Sequence, residues 1–218
     1  MAQLFTPRAN TIARASILGA GLAVVFAGWA WGEIFWSPYT TRVNAPLSQP
    51  VPFSHRHHAE QLGIDCRYCH TSVEKSAFAG LPDTETCMTC HSQLFTDAPL
   101  LAPVRQSLAT GQPLKWNRVN KLPDFVFFNH SIHVAKGIGC ETCHGPVHEM
   151  TMTWKGETLY MKWCLQCHRH PEDFIRPHGE VFDMHWTPPP DQASRGLKLV
   201  ADNQISRAEM ADCSRCHR

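Results

Sequence analysis

Apolar residues crowd one end of this chain and are scattered through the rest. No residue is charged from Ala15 to Gly32, and after Glu33 the run resumes as Ile34-Phe35-Trp36. A helix needs about 20 such residues to cross the hydrocarbon core of a bilayer. Trp29, Trp31 and Trp36 gather at the far end, where interfacial aromatics sit, and Arg8 and Arg14 precede the run with no acidic residue beside them. That positive flank predicts an N-terminus in the cytoplasm and the remainder outside. A cleaved signal peptide is the other reading. Its apolar region is usually shorter, and tryptophans crowd the small-residue site at Gly28-Trp29-Ala30. Ser16, Gly19, Ala20, Ala23 and Ala27 recur at helical spacing. They offer a face for another membrane helix, although small residues are common in anchors of every kind.

Beyond Trp36 neither a helical nor an alternating period persists. Pro38, Pro46, Pro50 and Pro52 punctuate residues 37–52, which read as an extended tether. Asp83-Thr84-Glu85-Thr86 has the character of a helix start. Residues 92–123 are broken by Pro99, Pro103, Gly111, Pro113 and Pro123, leaving room for one helix near Val104–Ala109. A connection from Arg169-His170-Pro171 to Pro188-Pro189-Pro190 follows, then a short segment from Ser206 to Cys213. The pattern predicts a mainly α fold with much irregular structure and one N-terminal transmembrane helix.

Composition narrows this further. The chain has 218 residues, enough for one domain or two small ones, and 43% are hydrophobic, part of them spent in the N-terminal run. The remainder would struggle to fill a core with its own side chains. A net charge of +1 gives no bulk electrostatic case for nucleic acid.

The ten cysteines all fall in C-x-x-C-H: Cys66, Cys69 and His70; Cys87, Cys90 and His91; Cys140, Cys143 and His144; Cys164, Cys167 and His168; Cys213, Cys216 and His217. Zinc sites, disulfides or a thiol redox motif would account for paired cysteines, but not for a histidine after every pair with no cysteine left over. C-x-x-C-H is the attachment signature of a c-type haem: two sulfurs bond the porphyrin and the histidine reaches the iron. Five covalently attached haems are expected, and they would also supply the missing apolar mass. Such attachment takes place outside the cytoplasm, which agrees with the positive flank.

Two of these motifs follow a common leader. Phe53-Ser54-His55-Arg56-His57-His58 precedes Cys66, and Phe128-Asn129-His130-Ser131-Ile132-His133 precedes Cys140, about 75 residues later. This is an internal repeat. It divides the chain into a cytoplasmic N-terminus (1–14), a transmembrane anchor (15–36), the Pro-rich tether (37–52), a first dihaem module with linker (53–123), a second dihaem module (124–176) and a C-terminal extension with the fifth haem (177–218).

An iron with only its motif histidine is open to small ligands, whereas a second axial ligand closes it for electron transfer. His55, His58, His130 and His133 occupy matching repeat positions, three apart, and are the expected distal ligands. The first of each pair suits its own haem and the second a neighbour's. His57 matches Ile132 and is expected in solvent or beside a propionate. His148, His170, His178 and His185 read as surface or supporting residues. Met150 and Met161 are candidate ligands for the remaining iron, where a thioether would raise the potential, or are flexible core fillers.

The stretch FFNHSIH leading into CETCHGPV resembles the class III multihaem cytochromes c. Most of the chain, from FSHRHHAEQLGIDCRYCH through LPDFVFFNHSIHVAKGIGCETCHGPV and LYMKWCLQCHRHPE to CSRCHR, resembles the pentahaem subunit of bacterial alternative complex III. That resemblance implies a periplasmic haem region on the inner membrane, held by the N-terminal helix. It also implies an iron–sulfur subunit, a monohaem cytochrome and polytopic quinol-binding subunits as partners. A soluble cytochrome c or terminal oxidase would be the acceptor. Ligation would be mostly bis-histidine with one histidine–methionine haem. Met150 and Met161 fall where the family carries methionine, while His148, His178 and His185 match nothing expected of it. Two other functions are open to such a chain: a multihaem reductase with one open iron, and a stand-alone quinol dehydrogenase cytochrome. The surplus of distal ligands argues against the first, and the tether between Trp36 and Cys66 against the second.

Overall fold

The computed structural model describes residues 6–217. The first five residues of the expected cytoplasmic segment, and the last residue of the C-terminal extension, lie outside the described residues. The chain divides into two compact units, one ending at Arg42 and the other starting at Val43.

The first unit is a helix, Pro7–Trp36, followed by a single turn, Pro38–Thr41. It starts well before the expected anchor, because nothing in residues 7–14 breaks a helix. At about 1.5 Å per residue its 30 residues rise about 45 Å, more than a hydrocarbon core requires. Among the described residues it is the one helix long and apolar enough to cross a membrane. Pro38 has no N–H to continue the ladder, and Ser37 closes it with its own N–H on the Ile34 carbonyl at 3.2 Å.

The second unit has no β-strand among the described residues, only isolated bridges such as Val126 with His217 and Ile138 with Ile175. Its helices are short. Gln192–Asp202, with 11 residues, is the longest of them among those described. Met150, Ile175 and Val181 are fully buried, but most large apolar side chains are partly open, including Phe78, Leu81, Phe125 and Phe127. Short helices cannot build a thick core, so many of the protein's apolar side chains stay open to solvent.

Three local outcomes matter for the site. Helix Thr84–His91 forms where expected, its N-terminus capped by Asp83 Oδ1 on the Thr86 N–H at 2.7 Å. The expected helix near residue 104 spans Ala102–Thr110 and ends at Gly111 with φ 65°. Residues 43–52 of the expected tether are a strap fastened within the second unit. Asn44 and Leu47 donate N–H groups to Lys155 O and Thr153 O at 2.9 and 3.2 Å. Asn117 holds the strap from the other side, through Ser48 O at 2.7 Å and Gln49 Oε1 at 2.8 Å. Prolines remove donors only at their own positions, so the intervening N–H groups still find acceptors.

Helix Gln192–Asp202 was not foreseen. Gly196 reads as a helix breaker, yet here it lets the helix lie on the Pro171–Asp173 turn. A Cβ at Gly196 would stand 1.9 Å from the Glu172 carbonyl oxygen. Close backbone approach overrides the local cost of glycine.

Candidate haem sites

All five C-x-x-C-H motifs sit on helical turns: Cys66–Cys69, Thr84–His91, Cys140–His144, Met161–Arg169 and Cys213–Cys216. A turn brings the paired sulfurs to one side and swings the next histidine beneath them. No cysteine is in a disulfide. Three of the turns start from an aspartate cap: Asp65, Asp83 and Asp212 accept N–H groups from Arg67, Thr86 and Ser214.

The ten expected attachment cysteines are not equally covered. Cys66, Cys69, Cys87, Cys140, Cys143, Cys164, Cys167 and Cys216 are all partly shielded, whereas Cys90 and Cys213 are exposed. Cys90 therefore departs from the enclosed sulfur that an attachment site suggests. It lies in the last turn of helix Thr84–His91, and its sulfur has only a weak contact, at 3.9 Å, from the adjacent Thr89 hydroxyl. A thioether bond is covalent and does not depend on burial, so exposure leaves Cys90 free to attach and puts that edge of the second site at the surface.

Each motif histidine has its Nδ1 engaged. His70 Nδ1 donates to Gly80 O at 2.7 Å, His91 to Leu94 O at 3.2 Å, His168 to Met210 O at 2.7 Å and His217 to Phe125 O at 3.3 Å. His144 Nδ1 lies 3.0 Å from the Asn120 amide. Asn120 Oδ1 is otherwise a buried acceptor without a partner. Turning the amide over gives His144 the carbonyl-type acceptor its four counterparts have. With Nδ1–H committed, Nε2 is the ring nitrogen left to bind a metal in every case.

The four expected distal histidines are held the same way, in two matching sets. His58 Nδ1 donates to Ser54 O at 2.9 Å and His133 Nδ1 to Asn129 O at 2.7 Å, each four residues back in its own turn. The first of each pair is held from the opposite half of the sequence. His130 Nδ1 donates to Ala77 O at 2.9 Å, and His55 Nδ1 pairs with Thr153 Oγ1 at 3.2 Å. The phenylalanines that precede them match too. Phe53 meets His55 edge-on at 4.9 Å and stacks on His58 at 4.4 Å; Phe128 meets His130 edge-on at 4.8 Å and stacks on His133 at 4.5 Å. The turns themselves differ. Arg56–Gln61 is a π-helix, whereas His130–Ala135 is α-helical.

Distal and motif rings face one another. His58 and His91 have ring centres 6.1 Å apart, His130 and His144 6.2 Å, and His133 and His168 6.2 Å. An iron bonded to two imidazole nitrogens at about 2 Å each places the ring centres about 6 Å apart. The residues therefore fit bis-histidine haem ligation at the second, third and fourth motifs. His55 lies in the electrostatic field of His70 first, then of His58 and His144. Burial, with these neighbours, pulls its pKa down to about 4; burial, then His130 and His70, does the same to His144. His58 and His133 are also lowered, chiefly by burial. Neutral imidazole is the form a metal binds.

The cysteines also show which motifs are neighbours. Cys69 senses Cys87, Cys66 and Cys140 sense each other, Cys143 senses Cys167 and Cys164, and Cys164 senses Cys216. These influences link the second motif to the first, the first to the third, the third to the fourth and the fourth to the fifth.

Among the described residues no imidazole faces His217 at the separation of the other pairs; its ring lies 5.7 Å from Phe125. Met150 is fully buried, and its sulfur accepts the Trp154 N–H at 3.5 Å. Met161 stands at the start of the fourth motif's helix and is 58% exposed. Exposed His57 is tied to Gln61 Oε1 at 3.0 Å. His170, His178 and His185 are exposed as expected, but His148 is buried. Two supporting residues went unread in the sequence. Asn120 belongs to a linker with no motif. Arg176 is 2% exposed, ion-paired with Glu141 between the third motif's cysteines, with its guanidinium 4.0 Å from the Trp186 ring centre.

Residues 126–218 match the family described as cytochrome c7 and related cytochrome c, and residues 37–100 match the class III cytochrome c family. The chain is 32% identical over 172 residues to the menaquinone reductase multiheme cytochrome c subunit of Nitratidesulfovibrio vulgaris strain Hildenborough. The match covers 69% of this chain and 78% of that one.

Proposed function

The chain belongs to the multihaem class III cytochrome c family, and from that premise we propose that it carries five c-type haems as the electron relay of a quinone-linked membrane complex. The three imidazole pairs at 6.1–6.2 Å carry this reading. When bound, each haem supplies a one-electron iron couple whose potential its ligands and burial set.

The chain's own residues hold and tune. The ten cysteines fix the macrocycles, and His70, His91, His144, His168 and His217 ligate from one side. His55 and His58 serve the first and second irons, His130 and His133 the third and fourth. Acceptors on Nδ1 hold each ring in place and, in the neutral ring, put the lone pair on Nε2. The cross-held His55 and His130 support a duplicated dihaem module in which each copy braces the other's ligand. The thiol contacts support an array ordered second, first, third, fourth, fifth, so electrons would enter and leave at the ends formed by the second and fifth motifs. The two exposed cysteines, Cys90 and Cys213, belong to those same end motifs, where a redox partner needs an open edge. Met161, partly open at a helix start, is the better-placed methionine for the fifth iron; Met150 is enclosed and its sulfur already engaged. Irons held between two imidazoles at the second, third and fourth motifs would leave no place for substrate there, which disfavours the reductase reading.

In the finer reading the helix within Pro7–Trp36 crosses the inner membrane with its N-terminus in the cytoplasm. The haem region then faces the periplasm within an alternative complex III, beside iron–sulfur, monohaem and polytopic quinol-binding subunits. Electrons would pass from quinol to a cytochrome c or terminal oxidase. The relative's name favours a second reading with flow reversed, toward menaquinone. The test is the membrane assembly purified through a tag on this chain. Menaquinol should reduce its haems and cytochrome c should reoxidise them, with five haems per chain by pyridine haemochrome. Oxidation of pre-reduced haems by menaquinone, without reduction by menaquinol, would reverse the direction. Four or fewer haems, or no exchange with quinone in either direction, would sink the proposal.

A further inference from the structure

Away from the iron ligands, three side chains converge from three separate segments. Glu60 lies on the Arg56–Gln61 turn, His148 on the Val147–Glu149 turn, and His185 in the loop that ends at Pro188. One donor atom from each lies within 4.8 Å of the other two. His185 Nε2 is 3.2 Å from Glu60 Oε2, and His148 Nε2 is 3.8 Å from the same oxygen. The two imidazoles meet edge to face, with centres 4.9 Å apart.

His148 is the informative member. Its side chain is 6% exposed, and its Nδ1 is a buried polar atom without a partner. Nε2 has only the two carboxylates at 3.8 Å, Glu60 and Glu149, beyond hydrogen-bond reach. A buried imidazole is normally tied at one nitrogen or both, as every ligand histidine described above is. One left loose beside a second imidazole and a carboxylate lacks a partner that all three groups share.

We infer that Glu60, His148 and His185 form a mononuclear site for a divalent first-row cation, with zinc the best fit. Two imidazoles and one carboxylate are the donor set of a three-ligand zinc centre, leaving a position for water. Tetrahedral bonds of about 2 Å set ligand atoms about 3.4 Å apart, so onto the buried His148 the exposed Glu60 side chain, at 3.8 Å, closes by about 0.4 Å and that of His185, within 4.8 Å, by at most about 1.4 Å. The scaffold is in place. The Glu60 and His148 turns pack together, and Arg56 donates its N–H to Met150 O at 3.0 Å. His185 is fixed by its N–H on Asp183 Oδ1 at 2.9 Å. A bound cation clamps the turn that carries His55 and His58 to the segment after the third motif and to the C-terminal connection.

The test uses the full-length, haem-loaded protein, stripped with chelator and equilibrated with zinc salt, with metal counted by mass spectrometry. One saturable equivalent per chain is expected. His185→Ala and Glu60→Gln, both at exposed positions, should each weaken binding at least tenfold while the low-spin haem spectrum stays unchanged. X-ray absorption at the zinc edge should show imidazole scattering in the parent and less of it in His185→Ala. No saturable zinc, or equal binding by parent and both variants, overturns the site. So does conversion of one iron to high spin in His148→Gln, which would make His148 an iron ligand instead.

Discussion

Replacing His133 by glycine removes the imidazole facing His168 at 6.2 Å and leaves His130, three residues earlier, facing His144 at 6.2 Å. Because each distal ring faces a different motif histidine, one substitution should open one iron. With five motifs in the chain, that is about one fifth of the haem. The structural cost is modest. His133 contributes a hydrogen bond to Asn129 O and a stacked contact with Phe128 at 4.5 Å, together about 1–3 kcal/mol. The fold should therefore survive. Electron paramagnetic resonance should show a new high-spin signal integrating to one haem per chain, and the reduced variant should bind one more carbon monoxide than the parent. Added imidazole should fill the space and restore the low-spin spectrum. His130→Gly should do the same at a different iron, and the double variant should open two. The pairing is refuted if either single variant opens no iron or two, or if the double variant opens only one.

Asn120→Leu deletes the acceptor for His144 Nδ1 without touching the iron side of the ring. The less basic imidazole stabilises the oxidised iron less, so one potential should rise. A tenfold change in relative stabilisation is about 59 mV for one electron, the scale redox titration should detect. Arg176→Met leaves the partly buried Glu141 carboxyl without its guanidinium partner and removes the contact over Trp186. A loss of about 3–5 kcal/mol is expected by chemical denaturation, and Arg176→Met with Glu141→Leu should recover most of it. Gly137→Ala meets the Arg176 carbonyl oxygen at 2.4 Å from a backbone held at φ 82°. The haem-loaded yield should fall sharply, whereas alanine at Gly179, which has open space, should be neutral.

Much of the site was legible in the chain because haem attachment is local chemistry. Two sulfurs and a histidine on one turn need only C-x-x-C-H, and the F-x-H-x-x-H leaders announced themselves by recurring. Long-range partners left no such mark. Five identical motifs gave no hint that Cys90 and Cys213 stand open while the other cysteines are covered, because cover comes from neighbouring segments. Asn120 sits in a linker that resembles any polar loop, yet it serves a histidine 24 residues away. The strap at 43–52 looked loose because its proline pattern says nothing of the acceptors at Thr153 and Lys155. His148 read as a surface or supporting residue, with nothing to say which, because an isolated histidine carries no periodicity. Gly196 hid a helix because its local cost is visible in sequence and the packing that overrides it is not.

The sequence by itself determined where the C-x-x-C-H motifs fall, which histidine follows each cysteine pair, and which four histidines recur three apart in the repeated leaders. It also determined that the only long apolar run stands at one end. Tertiary structure alone decided which distal histidine faces which motif, which motifs adjoin, and which carbonyl orients each ring. The physical reason is range. Ligand spacing on one turn is set by the backbone within a few residues. Pairing His130 with Ala77 and His144, or Cys66 with Cys140, depends on contacts between segments far apart in the chain.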